Sequence, residues 1–328
     1  MCHLRLLFTI MTLVISHVMA GAQGLFRLVD TSVGLPDNEV KALFWTPDGM
    51  LGVRTSSSLS LYDGCTFRSF APNGDEGYAS DYVSALTTAY VDSHERVWMK
   101  ELNHILVFDL NKESYVRDVR ALLADMGVGE RVNNMFVDSA KDFWFVTSSG
   151  KLLNVACPAG SKRAVCRNVK ARTRGLRDVA RWSGCVWLVY EDGWVLALDS
   201  HTMREVSRQR LWTQPVQKRD FIELRVDNSR LWLMWNHGVA SLGSRRGKWQ
   251  QRYSDNGHVC VTMMPVGDGS AYVGVRRAGL VNLSAHGSVL TTGKYLTTSG
   301  ETISDDIQAI ACDKNSLILG LYGKGICL

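Results

Sequence analysis

Several features that would place a chain of this length in a well-known class are missing. Only six of the 328 residues are proline, and no apolar run of about 18 residues follows the N-terminal segment, so the mature chain has no predicted membrane span. The sequence has no Walker loop, no His-Glu-x-x-His and no Gly-x-Ser-x-Gly motif, and its glycine-rich segment 320–325 is not followed by a helical pattern. We therefore predict a non-enzymatic protein with no cofactor and no metal site.

An excess of charge of one sign is also missing. The chain has 37 Lys and Arg residues against 32 Asp and Glu residues, and its net charge of +5 becomes +4 when Arg5 is removed with the N-terminal segment. An excess this small predicts no nucleic-acid partner. In one segment, eight basic residues within twenty positions are opposed only by Asp178. The segment is either a solvated strand edge or a surface that attracts an acidic glycan. Its basic residues are Lys162, Arg163, Arg167, Lys170, Arg172, Arg174, Arg177 and Arg181.

The first 22 residues have the layout of a cleavable secretory signal. One basic residue, Arg5, precedes an apolar stretch over residues 6–19, and a small-residue Ala-Gly-Ala sequence ends at Ala22. This order is typical of a signal peptide. We predict cleavage near Ala22, export of the protein, and a mature chain of residues 23–328.

The mature chain has an odd number of cysteines. Seven of the eight lie beyond residue 22, so at least one thiol is left without a disulfide partner. Cys157 and Cys166 flank a Pro-Ala-Gly-Ser segment that can turn a hairpin. Either a disulfide joins these two residues, or they are free thiols that pack as small apolar groups.

What the sequence does contain is a repeat of about 45 residues. Each copy has an apolar strand, an Asp or Gly turn, a second strand centred on an aromatic residue, and a further turn and strand. Repeats of this length with several strands and no long helix are typical of a β-propeller. We predict an all-β, seven-bladed β-propeller in which the aromatic markers pack between neighbouring blades. The marker positions, which lie 46, 46, 43, 45, 40 and 46 residues apart, are Gly52, Trp98, Trp144, Trp187, Trp232, Tyr272 and Ile318.

Two further expectations concern the chain ends and the largest insertion. The last copy has room for only three strands, and the strand-like segment 25–29 can supply the fourth and close the ring. Between the second and third copies, the apolar residues of 119–126 have helical spacing, and Gly127 can end a short helix.

The motifs of the first copy resemble a known repeat. Phe26 is followed by Gly-Leu-Pro-Asp-Asn-Glu-Val over residues 34–40, by Pro-Asp-Gly over 47–49 and by Leu-Tyr-Asp-Gly over 61–64. This order resembles the two-component regulator propeller repeat, and weaker copies cover nearly all of the mature chain. The resemblance implies the periplasmic sensor part of the hybrid two-component systems of gut Bacteroidetes, whose propellers recognise breakdown products of complex glycans.

The same resemblance implies a ligand and partners. The ligand is expected to be an oligosaccharide or an acidic glycan fragment, and the partner a second copy of the chain or a separate signalling subunit. The sequence ends before any second propeller, membrane helix, kinase or DNA-binding segment, so a free-standing propeller, a partner subunit and the remnant of a split sensor gene all stay open. The alternative to a sensor is a non-catalytic interaction scaffold.

Two sets of loops on one face of a propeller are the expected place for a ligand. They are the loops that enter the innermost strands and those that join the second and third strands. Aromatic rings there can stack on sugar rings, and cations can hold carboxylate or sulfate. The predicted ligand-binding residues are Arg54, Lys100, Arg131, Tyr190, Trp235, His237, Arg276 and Tyr322.

Acidic residues recur just before the innermost strands. They are either turn caps or, if two carboxyl groups are suitably spaced, groups capable of glycoside chemistry. The residues are Asp81, Asp178, Asp220, Asp305 and Asp306.

Overall fold

Small antiparallel sheets form a ring of seven blades in the computed structural model, which confirms the predicted propeller. The structure describes residues 25–156, 164–214, 216–217, 220–286, 289–293, 296–297, 306–313 and 316–328. The predicted signal peptide and Cys157 lie outside the described residues. No helix in the described part of the chain is long and apolar enough to cross a membrane.

The strands of a blade follow one another from the channel to the rim in chain order. The chain opens with β1 (Leu25–Phe26), β2 (Leu28–Val29) and a 3₁₀ turn (Thr31–Val33). Blade 1 has β3 (Val40–Trp45), β4 (Leu51–Thr55), β5 (Leu59–Tyr62) and β6 (Phe67–Phe70). Blade 2 has β7 (Tyr78–Val91), β8 (Arg96–Asp109) and β9 (Ser114–Tyr115). After helix α1 (Val119–Asp125), blade 3 has β10 (Val132–Val137), β11 (Phe143–Thr147), β12 (Leu152–Ala156) and β13 (Val165–Val169).

Blades 4 to 7 complete the ring. Blade 4 has β14 (Leu176–Trp182), β15 (Cys185–Tyr190), β16 (Trp194–Asp199) and β17 (Glu205–Arg210). Blade 5 has β18 (Ile222–Val226), β19 (Leu231–Trp235), β20 (Gly238–Leu242) and β21 (Gln250–Ser254). Blade 6 has β22 (Val259–Pro265), β23 (Ala271–Arg276), β24 (Gly279–Leu283) and β25 (Val289–Gly293). After β26 (Leu296–Thr297), which pairs with β1, blade 7 has β27 (Ile307–Cys312), β28 (Leu317–Leu321) and β29 (Gly325–Cys327).

The innermost strands surround a central channel and hold the ring together. Each of them contacts the innermost strand of both neighbouring blades, and β27 of blade 7 contacts β3 of blade 1. The N-terminal β2 pairs with β29 as the fourth strand of blade 7, as expected from the strand count. Since an N-terminal strand and three C-terminal strands share one sheet, hydrogen bonds close the ring.

The aromatic markers pack where they were predicted, between blades. Trp98 of blade 2 lies 4.9 Å, centroid to centroid, from Phe143 of blade 3. Trp144, Trp187 and Trp232 likewise lie in clusters with residues of the following blade, and all four tryptophans are buried. Each second strand therefore contributes one large side chain to the interface with the next blade.

The first copy departs from this rule, and a side chain of the neighbouring strand fills the space instead. Gly52 has no side chain to offer, and the Phe44 ring of the innermost strand occupies the space that a Cβ at this position would need. Phe44 packs with Val97 and Leu106 of blade 2. The interface between blades 1 and 2 is thus filled from the neighbouring strand.

Blade 2 and the helix contain the largest departures from a regular meander. Strand β8 runs from the second-strand position into the third-strand position without a break, and Leu102, with φ of 40°, lies between the two halves. Helix α1 begins at the predicted Val119, is capped by the Asp118 carboxylate, and is followed by Gly127 with φ of 82°. Its apolar side, including Leu123, packs between blades 2 and 3.

Candidate functional site

The loops chosen from the sequence lie on one face, which we call the entry face because the innermost strands begin there. In four blades a backbone hydrogen bond joins the second-to-third turn to the segment that enters the same blade, including Glu191 to Gly175 in blade 4. Ser56 donates to Glu39 in blade 1, Ser148 to Arg131 in blade 3, and Tyr322 to Asp306 in blade 7. The entry loops and the turns of these blades therefore lie on the same face of the ring.

An aromatic and cationic cluster lies on this face over blades 4 to 6. Trp235, at the end of β19, stacks on Trp212 with 5.8 Å between ring centroids. The Arg276 guanidinium, at the end of β23, lies 5.7 Å from the Phe221 ring centroid. His237 is exposed in the turn after Trp235. We call these five residues the entry-face cluster, and they include three of the predicted ligand-binding residues.

The loop before β18 brings two of the five residues into the cluster, and it is firmly held. Arg177 donates to the carbonyl oxygens of Gln217 at 2.9 Å and Asp220 at 2.5 Å. The Asp220 carboxylate accepts from Nδ2 of Asn236 at 2.7 Å, and the Asn236 Oδ1 accepts from the Phe221 amide at 2.7 Å. These bonds fix the loop against blades 4 and 5, so the rings of the cluster are positioned before any ligand arrives.

His237 links the cluster to the entry of blade 6. Its Nδ1 lies 3.2 Å from the carbonyl oxygens of both Asp255 and His258, and the Cys260 amide donates to the Asn236 carbonyl at 2.7 Å. The turn of blade 5 and the first residues of blade 6 therefore form one bonded unit.

Two other predicted residues are buried in strands rather than exposed in loops. Arg54, on β4, is only 3% exposed and forms an ion pair with Glu101 of blade 2 through two of its nitrogens. Tyr190, on β15, is fully buried, donates to the Arg172 carbonyl at 2.9 Å, and has its pKa raised to about 12 by burial. Each of these side chains joins structural elements within the protein.

Lys100 is also buried, between blades 2 and 3. Its Nζ donates to the Met135 carbonyl at 2.9 Å and lies 4.5 Å from the Phe136 ring centroid. Burial lowers the pKa of Lys100 to about 8. Lys100 thus belongs to the interface between blades 2 and 3 and not to the entry-face cluster.

The remaining two predicted residues lie elsewhere on the entry face. Arg131 lines a groove of about 330 Å³ beside α1, together with Tyr78, Arg120 and Leu123. Tyr322, which is 53% exposed, lies between blades 7 and 1 with the Lys41 ammonium 5.8 Å from its ring centroid. Of the eight predicted ligand-binding residues, the structure therefore places three in the entry-face cluster, two at separate surface positions and three in the interior.

Two of the acids before the innermost strands, Asp178 and Asp220, accept hydrogen bonds from backbone amides, whereas Oδ1 of Asp306 is buried with no hydrogen-bond partner among the described residues. Asp178 accepts from the amides of Val179 at 2.8 Å and Leu224 at 2.7 Å. Burial raises the pKa of Asp178 to about 6. Asp305 and the side chain of Asp81 lie outside the described residues. In the described part of the chain, no group of three or more His, Cys, Asp or Glu side chains is arranged to hold a metal ion.

Two basic residues of the segment, Arg172 and Arg181, pair with acids from other parts of the chain. Arg172 forms a bidentate pair with Asp192, with the shorter distance 2.8 Å. Arg181 pairs with Asp138 at 3.0 Å and with Asp142 at 2.6 Å. Lys162 and Arg163 lie outside the described residues. Cys166 in this segment is an exposed free thiol, whereas its suggested partner Cys157 is not described.

Solved structures with a similar fold include extracellular domains of bacterial signalling proteins. The extracellular domain of the putative hybrid two component system BT4673 from B. thetaiotaomicron matches with a TM-score of 0.63 and 14% identity, over 92% of this chain and 39% of that one. The corresponding domain of BT3049 from the same organism has a TM-score of 0.60 and 14% identity, over 92% and 41%. This chain is similar in fold to both extracellular domains. The resemblance seen in the sequence motifs is thereby confirmed at the level of fold.

Coverage differs among the structural neighbours. The chain spans about 40% of the length of the B. thetaiotaomicron domains. It spans 98% of the β-propeller domain of Cps50 (Swd1) from Myceliophteria_thermophila, with a TM-score of 0.56 and 10% identity. No protein-family model and no curated protein matches the sequence. The neighbours therefore establish the architecture of one propeller.

Two members of the entry-face cluster were missed from the sequence. Trp212 and Phe221 lie in the loop 211–221, at positions that do not coincide with the aromatic marker of any copy. An aromatic residue outside the marker position, in a loop that enters an innermost strand, is the sequence feature that could have identified them.

Proposed function

We propose that this chain is the exported sensory propeller of a two-component signalling system and that it binds a glycan-derived ligand at the entry-face cluster. The observation that carries the proposal is the grouping of Trp212, Phe221, Trp235, His237 and Arg276 on one face. The fold shared with extracellular domains of putative hybrid two component systems supports a sensory role. The layout of residues 1–22 supports export to the periplasm.

The chemistry of the cluster suits an oligosaccharide that carries a negative charge. The stacked Trp212–Trp235 pair offers an aromatic surface on which the apolar face of a sugar ring can lie. The guanidinium of Arg276 can bind a carboxylate or sulfate with two parallel hydrogen bonds. We therefore propose an acidic oligosaccharide fragment as the ligand class.

Signalling in this proposal is a shift in the population of propeller packing or of the dimer arrangement when the ligand occupies the entry face. The cluster draws residues from blades 4, 5 and 6, so one ligand contacts all three blades and favours the packing of the blades that binds it. The arrangement is then recognised by a second copy of the chain or by a separate signalling subunit.

Thermal unfolding and calorimetry of the protein with neutral, carboxylated and sulfated oligosaccharides test the proposal. A ligand that binds only the folded state raises the unfolding midpoint. Trp235→Ala should weaken binding about tenfold through the loss of stacking. Arg276→Ala should weaken acidic ligands more than neutral ones, and added salt should reduce that difference.

Two control variants on the same face sharpen the test. Arg277→Ala removes an exposed guanidinium next to Arg276, and Tyr322→Ala removes an exposed ring outside the cluster. Both should bind like the wild type. A folded protein that binds none of the oligosaccharides would instead favour the non-catalytic interaction scaffold.

A further inference from the structure

The face opposite the entry face holds a group of cations without acidic partners. The turns that join the first strand of a blade to its second, and the third strand to its fourth, lie there, and we call it the exit face. In blade 5 these turns are residues 227–230 and 243–249. In the described part of the chain, none of the four basic side chains in these turns forms an ion pair or a hydrogen bond. The four are Arg230, Arg245, Arg246 and Lys248.

Arg230 is held in place although its guanidinium has no acceptor. The side chain is partly buried beside two glycines. Its Nη1 lies 3.5 Å from the position that a Cβ of Gly243 would take, and its Nε lies 3.1 Å from the corresponding position at Gly269 in blade 6. The Arg230 backbone amide donates to the Asp227 carboxylate at 2.7 Å. The donors of this guanidinium are therefore positioned before any ligand arrives.

A second guanidinium lies close to Arg230 and adds its charge. Arg252, on β21, is only 8% exposed, and its Nη2 donates to the carbonyl oxygens of Ser284 at 2.6 Å and Ala285 at 2.9 Å. Ala285 also lies beside Gly269, so both guanidiniums lie at the interface of blades 5 and 6. Burial, and then the charge of Arg230, lower the pKa of Arg252. An anion bound beside the two like charges would relieve their repulsion.

The acids of the neighbouring turns do not neutralise these cations. The Asp227 carboxylate accepts from the Ser229 hydroxyl and the Trp232 indole, and the Asp268 carboxylate of blade 6 accepts from the Ser270 amide. Neither acid forms an ion pair with another described residue. The five cations of blade 5 exceed these two acids by three charges.

We propose that the exit face of blade 5 binds a phosphoryl group, with the Arg230 guanidinium as its principal contact. A phosphate monoester carries almost two negative charges and three acceptor oxygens at neutral pH, so it can accept two parallel hydrogen bonds from one guanidinium. A carboxylate has one charge and would leave most of the positive excess uncompensated. Arg252 and the basic turn 243–249 supply the remaining positive charge. This inference rests on exit-face residues alone and does not depend on the entry-face ligand.

Two sources of a phosphoryl group are tested on the purified protein at constant ionic strength. Calorimetry with inorganic phosphate measures binding of the free anion. Co-sedimentation with phosphatidylcholine vesicles, with and without phosphatidic acid, measures binding to a lipid headgroup. Binding of phosphate at one site per chain, with a raised unfolding midpoint, identifies the free anion as sufficient. Binding only to the vesicles that contain phosphatidic acid identifies the headgroup as the ligand.

Substitutions separate a specific site from general attraction by positive charge. Arg230→Gln should weaken binding tenfold or more, because it removes two charge-assisted hydrogen bonds. Arg117→Gln, which removes an exposed guanidinium just before α1, is the matched control and should bind normally. Trp235→Ala should also bind normally, which separates this site from the entry-face cluster.

Circular dichroism checks that the Arg230→Gln protein is folded. If it is not, Arg230→Lys carries the test, since a lysine keeps the charge but cannot form two parallel bonds and should also bind more weakly. The proposal is overturned if the folded wild type binds neither phosphate nor the acidic vesicles. It is also overturned if a folded Arg230 variant binds as tightly as the wild type, or if Arg117→Gln weakens binding as much as Arg230→Gln.

Discussion

At the scale of the residue, the interior of the ring buries charged groups at a cost in stability. Asp178 of blade 4 and Lys100 of blade 2 are both buried, and Glu223 of blade 5 is a third charge in the same region. Burial disfavours the charged form of each group, so the pKa of the acid rises and that of the amine falls. At neutral pH both Asp178 and Lys100 are charged in the folded protein, with pKa values of about 6 and about 8.

This cost predicts a measurable pH dependence. An unfolded Asp releases its proton near pH 3.8, whereas Asp178 in the folded protein keeps its proton to about pH 6. Between these pH values the folded state binds more protons, so the contribution of Asp178 to the free energy of unfolding falls as the pH rises, by about 3 kcal/mol at most. Asp178→Asn removes this titration. The stability of the wild type relative to the variant should therefore fall between pH 4 and pH 7 in urea unfolding, and a constant difference would contradict the assignment.

At the scale of the element, a turn motif ties the first strand of a blade to its second. In blade 3 the Asp138 carboxylate accepts from the amides of Ala140 and Asp142, from Nε1 of Trp144 at 2.9 Å and from Arg181 at 3.0 Å. Equivalent bonds join Asp92 to Trp98 in blade 2 and Asp227 to Trp232 in blade 5. The Asp thus fixes both the turn and the orientation of the interblade tryptophan.

Asp138→Ala should be strongly destabilising. The Asp138 side chain is fully buried, and its removal leaves the Trp144 indole without its acceptor and Arg181 with Asp142 as its one remaining acidic partner among the described residues. We expect a loss of about 3–5 kcal/mol in the free energy of unfolding. Asp268→Ala, in the exposed turn of blade 6, removes bonds to Ser270 alone and should cost about 1 kcal/mol. Denaturant unfolding of both variants measures the difference, and equal losses would show that the tryptophan bond is unimportant.

At the scale of the whole molecule, stability depends on closing the ring through β2 and β29. Arg27 and Leu328 exchange two backbone hydrogen bonds of 2.9 Å each. The next pair, Leu28 and Cys327, lies directly opposite in the ladder, and both side chains pack in the interface between blades 6 and 7. In an antiparallel pair the position next to a hydrogen-bonded pair has the shorter Cα separation, which suits a disulfide.

Leu28→Cys should therefore allow a disulfide with the natural Cys327 that locks the ring. The bridge would join residues near the two ends of the mature chain, so oxidation should raise the free energy of unfolding by about 4–5 kcal/mol over the reduced form of the same variant. Unfolding with and without a reducing agent measures the gain. Leu28→Ser, which lacks the thiol, should show no response to the reducing agent.

The sequence by itself determined the architecture. A marker that recurs every 40–46 residues fixes the number of blades, because each copy cannot bury its apolar faces alone and must pack on the next. The tryptophan positions, the short helix and the closing strand follow from the same local patterns. These features depend on the order of residues within one copy, which the sequence displays directly.

The composition of the candidate site was decided by the tertiary structure. The innermost strands of five blades contain one extra residue near their start, which forms a bulge. The bulge changes the direction of side chains such as those of Lys41 and Arg177. No periodic pattern in the sequence indicates it. Burial of Arg54 depends on Glu101, 47 residues away in the neighbouring blade. Contacts between blades join residues about one repeat apart, so the sequence gives the positions of the strands, and only the packed ring decides which side chains reach the surface.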